Sequence, residues 1–290
     1  VQLGHEAIVY GKRPQAGGLN TYGIAYYKLT PETSLEEIEM VRKLGVEFRC
    51  GIEVGYDISM KEILEKYDAV FLGLGLGKAR SLDIPGEDLP EVFEALQFIE
   101  KFHSAPLHQV PVGRHAVIIG AGNTAIDAVS QSKRLGAESS TIVYRRGEES
   151  MPAYNFEYDL AKKDGCEFVF NAAPLAILEN KGSVEGIRLI RTEIDADGRL
   201  VHVEGSEFEL PCDMVLKASG QTKQVELLKK LLPDLALDAA GRIQTDPKNG
   251  LTSIPKVYAG GDAANGGREV VNAVAEGKKA ARGMHSVFTG

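Results

Sequence analysis

The sequence predicts an α/β protein assembled from β-α-β units. Three observations point there. The run Arg114-His-Ala-Val-Ile-Ile-Gly-Ala-Gly-Asn-Thr-Ala-Ile-Asp127 reads as a buried strand, a tight glycine turn and a helix start. Short apolar runs alternate with amphipathic stretches along the chain, many of them bounded by glycine. Glycine itself is abundant, at 32 of 290 residues, which suits a fold built on glycine turns.

The elements follow in order. Residues 1–10 read as a helix end, a stop at Gly4 and a strand over 7–10. In a dinucleotide-binding domain these would be the close of the first helix and the second strand, so the first strand and its glycine loop are expected upstream. Ser34-Leu-Glu-Glu37 has the form of a capping box, with Leu35, Ile38, Val41 and Leu44 on one stripe and Gly45 as the stop. A strand over 46–49 is expected next. Ser59-Met-Lys-Glu62 forms a second capping box, leading a short helix to Lys66. A buried strand over 69–72 runs into Gly73-Leu-Gly-Leu-Gly77, and Ile84-Pro-Gly86 lies in a loop. A helix over 92–102 and a linker over 106–113 are expected before the glycine-turn unit.

Beyond that unit the pattern predicts a strand over 141–144, a helix over 155–164 and a strand over 167–170. Residues 186–194 and 199–204 alternate in polarity around Asp195-Ala-Asp-Gly198, which reads as a hairpin. A strand over 214–218 leads into Ser219-Gly220. Short strands over 242–245 and 257–259, a turn at Gly260-Gly-Asp262 and a helix over 269–287 close the chain.

Gly120-Ala-Gly-Asn-Thr-Ala125 is the GxGxxA form of the dinucleotide fingerprint. Gly120 permits the turn, Gly122 lets backbone approach a pyrophosphate, and Ala125 lets the helix pack on the strand. The N–H groups of Asn123 and Thr124 at the helix start would face the phosphates. A glycine turn that binds nothing is the competing reading; the complete β-α-β unit of ~30 residues favours the nucleotide. The following strand ends in Tyr144-Arg145-Arg146, where an NAD site usually has an acid. Two guanidiniums suit a ribose 2′-phosphate, so NADPH is favoured, with NADH as the alternative if both arginines are solvated surface charges.

Composition narrows the class. Hydrophobic content of 43% and charged content of 26% are those of a globular chain. A net charge of −8, with scattered basic residues, argues against nucleic acid. No apolar run approaches the ~18 residues of a spanning helix, so no membrane segment is expected. Cys50, Cys166 and Cys212 are isolated and form no CxxC, which removes a dithiol centre and a cysteine-held cluster. With no secretory signal pattern, this usage predicts a cytoplasmic protein. His5, His103, His108, His115, His202 and His285 show no metal spacing, and no metal site is expected.

Taken together, several motifs resemble one family: Gly17-Gly-Leu-Asn-Thr-Tyr-Gly-Ile24, Phe71-Leu-Gly-Leu-Gly75, Ile84-Pro-Gly-Glu87, Ile119 to Asp127, Val143-Tyr-Arg-Arg146 with Met151-Pro-Ala153, Ala218-Ser-Gly-Gln221, and Tyr258-Ala-Gly-Gly-Asp262 followed by Glu269 to Val274. They resemble the flavin and NAD(P)H reductase module of the glutamate synthase small subunit and dihydropyrimidine dehydrogenase, most of all the bacterial dihydropyrimidine dehydrogenase reductase subunit. The resemblance implies two nested Rossmann-like dinucleotide-binding domains, a glutathione-reductase-like architecture. Residues 1–100 would be the first part of an N-terminally truncated FAD domain, 101–221 the NAD(P) domain, and 222–290 the rest of the FAD domain.

Carried over, Gly17, Gly18 and Leu19 would lie along the FAD phosphates and ribityl chain, and Gly73 and Gly75 beneath the cofactor. Gly261 and Asp262 would meet the ribityl or phosphate region, and Val270 and Val271 the flavin pyrimidine edge. Gly120, Gly122, Asn123, Thr124, Arg145 and Arg146 would hold NADP(H), with Ser219 and Gly220 near the nicotinamide half. Hydride would pass from NADPH to FAD and electrons onward to an iron–sulfur or catalytic partner subunit, for pyrimidine reduction or glutamate synthesis. No side chain is nominated as a catalytic acid or base, and a homo-oligomer is left open. The FAD glycine fingerprint is missing and Gly11 stands where the family has an acid, so flavin is expected to bind this chain weakly or not at all. The competing function is a non-catalytic nucleotide-binding or docking fragment; a thioredoxin-reductase type is disfavoured by the missing CxxC.

Overall fold

The computed structural model describes residues 1–290 apart from the side chain of Leu107. The chain forms two compact units. One comprises Val1–Ala16, Glu37–Lys78 and Gln221–Gly290; the other comprises Gly17–Glu36 and Ala79–Gly220.

The second unit is built on a five-stranded sheet. Its strands run in the order Val92–Glu94, Met214–Lys217, His115–Ile119, Ser139–Tyr144 and Glu167–Phe170, all parallel. Ala116 to Ile119 are all buried, as a central parallel strand covered on both faces requires. The helix Asn123–Arg134 packs on it through Ala125, Ile126, Ala128 and Val129, all at 0% exposure. Phe98, Ile99, Ile118, Ile142 and Leu216 complete that core. An antiparallel lobe follows, in which Ser183–Ile194 pairs with Ala172–Asn180, Leu200–His202 and Phe208–Pro211. Val184, Ile187, Leu189 and Cys212 fill the core beneath it.

The first unit holds two short parallel pairs, Ile8–Gly11 with Glu47–Cys50 and Val70–Leu72 with Val257–Ala259. Met60, Ile63, Leu72, Leu228, Ile243 and Val257 form its core. The helix Met60–Lys66 starts as expected: Ser59 accepts from the Glu62 amide, and Glu62 accepts from the Ser59 amide. The helix Val270–Thr289 closes the chain. No helix among the described residues is long and apolar enough to cross a membrane.

Several local expectations are corrected. Ser34 is no N-cap: the helix spans Pro31–Lys43, and buried Ser34 bonds Thr21 Oγ1 through its hydroxyl at 2.8 Å. Val41 and Leu44, placed on an apolar stripe, are exposed. Residues 92–94 are the edge strand of the sheet, and the helix begins at Ala95, because Val215 and Leu216 offer ladder bonds there. Residues 242–245 make only an isolated bridge, Leu237 to Ile243. The strand Val70–Leu72 is buried at Leu72 but exposes Phe71.

The boundaries differ as well. Residues 17–36 and 79–100, drawn from sequence as part of the first domain, belong to the second unit. The reason is pairing and packing: Val92–Glu94 joins the five-stranded sheet, and the helix Ala95–Ser104 packs on the helix Asn123–Arg134.

Candidate functional site

In the second unit, the residues expected to hold a nucleotide gather at the carboxyl ends of the three middle strands. Gly120 follows His115–Ile119, Arg145 and Arg146 follow the neighbour on one side, and Ser219 and Gly220 follow the neighbour on the other. After its excursion to Glu167–Phe170, the chain returns across the central strand. A parallel sheet binds its ligands at such a crossing.

The two fingerprint glycines differ in what they face. Gly120 has φ +127°, its N–H donates to Val143 O at 3.0 Å, and a Cβ there would stand 2.4 Å from Ala218 O. The fold itself requires glycine at that position. Gly122 has φ −82°, and a Cβ would meet nothing within 4 Å. Nothing in the folded chain requires glycine there. Open space lies in front of it, at the mouth of a helix that has no side-chain cap. Uncapped amides facing open space form an anion-binding geometry. Asn123 turns aside to accept from the Tyr154 amide at 3.2 Å, which ties the next helix, Asn155–Lys163, to the same mouth. Thr124 is half-buried in the first turn.

Arg145 and Arg146 are held by their backbones. Thr192 Oγ1 donates to Arg145 O at 2.8 Å, and the Asn171 amide donates to Arg146 O at 3.1 Å. Both side chains are exposed, and among the described residues neither guanidinium has an ion pair. Arg114, Arg134, Arg188 and Arg242 are all paired with carboxylates. Ser219 braces the loop before it: its hydroxyl donates to Arg80 O at 2.6 Å, and the Arg80 amide donates to Gly220 O at 2.8 Å.

Gly17, Gly18 and Leu19 also lie in the second unit, at the start of the short helix Leu19–Tyr22. Gly17, at φ +111°, abuts Thr21 Oγ1, whereas Gly18, at φ +57°, faces open space. The other residues expected at a flavin are in the first unit. Gly73 and Gly75 leave the end of Val70–Leu72; Gly261 and Asp262 leave the end of its parallel partner Val257–Ala259. Gly75 opens onto free space, while Gly73 sits against Phe71. The Gly261 amide donates to Glu276 Oε2 at 2.6 Å. Asp262 Oδ1 accepts from the Arg268 amide at 3.1 Å, leaving Oδ2 without a partner among the described residues. Val270 and Val271 begin the closing helix, 47% and 71% exposed, again with no side-chain cap.

Sequence reasoning assigned no role to two ion clusters. Lys217 Nζ bonds Glu87 Oε1 at 2.8 Å, and Glu87 also accepts from the Leu82 and Asp83 amides and from Ser81 Oγ. Burial opposes charge on Glu87, but these donors outweigh it and hold the carboxyl down at about 2. Lys28 Nζ bonds Asp127 at 2.5 Å and Glu157 at 2.7 Å. Asp127 and Glu87 stand in the quoted motifs. Lys28 carried no local signal, because its partners lie about a hundred positions away or more.

Residues 57–277 match the pyridine nucleotide-disulphide oxidoreductase family. The chain belongs to that family. It is 38% identical to the glutamate synthase [NADPH] small chain of Escherichia coli over 97% of its own length and 63% of the relative's. It is 33% identical to the NADP(+)-dependent formate dehydrogenase subunit beta of Moorella thermoacetica, over 96% of this chain and 40% of that one. The chain thus spans less than two thirds of the length of either relative. Thioredoxin reductase from T. acidophilum shares the fold, with a TM-score of 0.76 at 20% identity, covering 100% of this chain and 92% of that one.

Proposed function

We propose that this chain is an NADPH-dependent, FAD-containing oxidoreductase module that passes electrons to a partner subunit. The observation that carries the reading is Gly122. Its backbone is ordinary and the space before it is open, so its glycine serves something outside the fold. The neighbouring strand end presents Arg145 and Arg146 without ion partners, which matches a 2′-phosphate in charge and fork geometry. The names of the two relatives, one [NADPH] and one NADP(+)-dependent, support the same cofactor choice.

Within the first unit, Gly75, Gly261, Asp262, Val270 and Val271 are suited to flavin: Gly75 gives close backbone approach, Asp262 Oδ2 can accept from a ribityl hydroxyl, and the uncapped helix at Val270 offers amides to an electron-rich edge. Within the second unit, Gly18 likewise leaves its backbone open to close approach. When bound, NADPH and FAD supply hydride transfer between their rings. The chain's contribution is to bind, to orient and to offer fixed dipoles. No side chain has to move a proton. Subunit names among the relatives, a small chain and a subunit beta, support delivery to a partner subunit, with glutamate-synthase-type delivery better supported than pyrimidine reduction.

The test is spectroscopic. Titration of the purified chain with NADPH and NADH should give a markedly lower Kd for NADPH. After FAD is supplied, anaerobic NADPH should bleach the flavin absorbance. No nucleotide binding, with the chain folded, would overturn the proposal; nucleotide binding without flavin uptake would leave a non-catalytic docking fragment.

A further inference from the structure

Lys28 lies between the N-terminal halves of two helices. Asp127 is the fifth residue of Asn123–Arg134, and Glu157 the third of Asn155–Lys163. Their side chains are 8% and 9% exposed, against 23% for Lys28. Two buried carboxylates thus share one ammonium, and Glu157 Oε2 has no hydrogen-bond partner among the described residues. Such an arrangement stands only while the cation is present, since unpaired buried charge is strongly unfavourable. The same stretch is fastened three more times. Tyr27 OH donates to Asp127 Oδ1 at 3.2 Å, the Ala25 amide approaches Asp127 Oδ2 at 3.5 Å, and His103 Nε2 meets Ile24 O at 2.7 Å. Burial and the Asp127 carboxylate push the Tyr27 phenol up, so it stays a donor.

These bonds join residues 24–28, a few positions beyond Gly17–Gly18, to the helix whose mouth is open at Gly122. We infer that Lys28 is a positioning residue: through Asp127 and Glu157 it transmits occupancy of the dinucleotide site to the 17–28 segment. The inference rests on the proposed NADP(H) site. A pyrophosphate at the mouth of the Asn123 helix adds negative charge within a turn or so of Asp127. It also orders the Asn123–Tyr154 link that joins the two helices. The added negative charge attracts the shared ammonium as well, and the ordered link holds the two carboxylates around it. The 17–28 segment, carrying residues suited to flavin, is thereby ordered when nucleotide is present.

The test is amide hydrogen exchange on the whole chain, free and saturated with NADP+, without flavin. In the wild type, NADP+ should slow exchange across 17–28 by about fivefold or more. In Lys28→Met that ratio should fall to about one while NADP+ still binds. Lys28→Met/Glu157→Gln, which removes one charge of each sign, should behave alike and is the variant to read if the single one does not fold. Lys28→Arg should restore part of the ratio. A strap with only a structural role would speed exchange equally with and without nucleotide; an unchanged ratio in a folded, NADP+-binding variant overturns the inference. So does a wild type whose 17–28 amides ignore bound NADP+. A wild type that binds no NADP+ overturns the nucleotide reading as well, which separates the two failures.

Discussion

A side chain on Gly120 would drive its Cβ to 2.4 Å from the carbonyl oxygen of Ala218. Two residues on, Gly122 has room for any side chain the empty space could hold. The fingerprint therefore combines a glycine needed by the sheet with a glycine the fold does not need, the one proposed to face the pyrophosphate. The contrast separates stability from binding.

Gly122→Val is expected to fold with a melting temperature close to wild type, since φ of −82° suits valine. NADPH binding should be lost, because the side chain would occupy the pyrophosphate position. Gly120→Val should cost several kcal/mol through its positive φ and the backbone clash. Thermal melts and nucleotide titrations of the two variants check this; equal effects on both quantities would refute the division.

Arg145→Ala/Arg146→Ala should weaken NADPH by about 2–4 kcal/mol, taking charged hydrogen bonds at roughly 1.5–3 each and allowing for exposure. NADH should change little. Stability should hold, because both residues are fixed through backbone carbonyls. Parallel calorimetric titrations with the two nucleotides decide it, and equal losses would remove the 2′-phosphate assignment.

Asp262→Ala should lower flavin uptake while NADPH affinity stays at the wild-type level. Its Oδ1 braces the Arg268 amide, so a small loss of stability is expected too. Asp262→Asn keeps one acceptor oxygen for the Arg268 amide but puts an NH2 donor in place of Oδ2, so it should recover the stability and only part of the flavin binding. Unaltered flavin uptake in the alanine variant would place the cofactor elsewhere.

Glu87 carries an acid-dependent share of stability. Its folded value, about 2, lies below the ordinary carboxylate value of ~4.3, so the contribution is full above that value and fades as pH falls towards 2. Glu87→Gln should cost about 2–3 kcal/mol at pH 7, and the gap from wild type should narrow by roughly half at pH 3. Denaturant unfolding at the two pH values measures it. A gap independent of pH would show that the Lys217 pair adds no net stabilisation of the charged form.

Local features survived the passage from sequence to fold. The strand His115–Ile119, its glycine turn and its helix were legible because adjacent residues set them, through buried β-branched side chains and a small residue at Ala125. The second capping box was legible because it closes within four residues. The first was not: Ser34 has the right spacing, but its hydroxyl is taken by Thr21 thirteen residues back. Val92–Glu94 reads as helix until Met214–Lys217 arrives from far along the chain to offer a ladder. Lys28, Asp127 and Glu157 are polar residues like many others in sequence; only folding brings the lysine within 2.7 Å of both carboxylates. Sequence alone determined where the glycine turn after His115–Ile119 falls, since turn chemistry is local. Which glycine the sheet needs and which it leaves open, and which lysine holds two helices together, were decided by tertiary structure, because burial and close approach are properties of the packed chain.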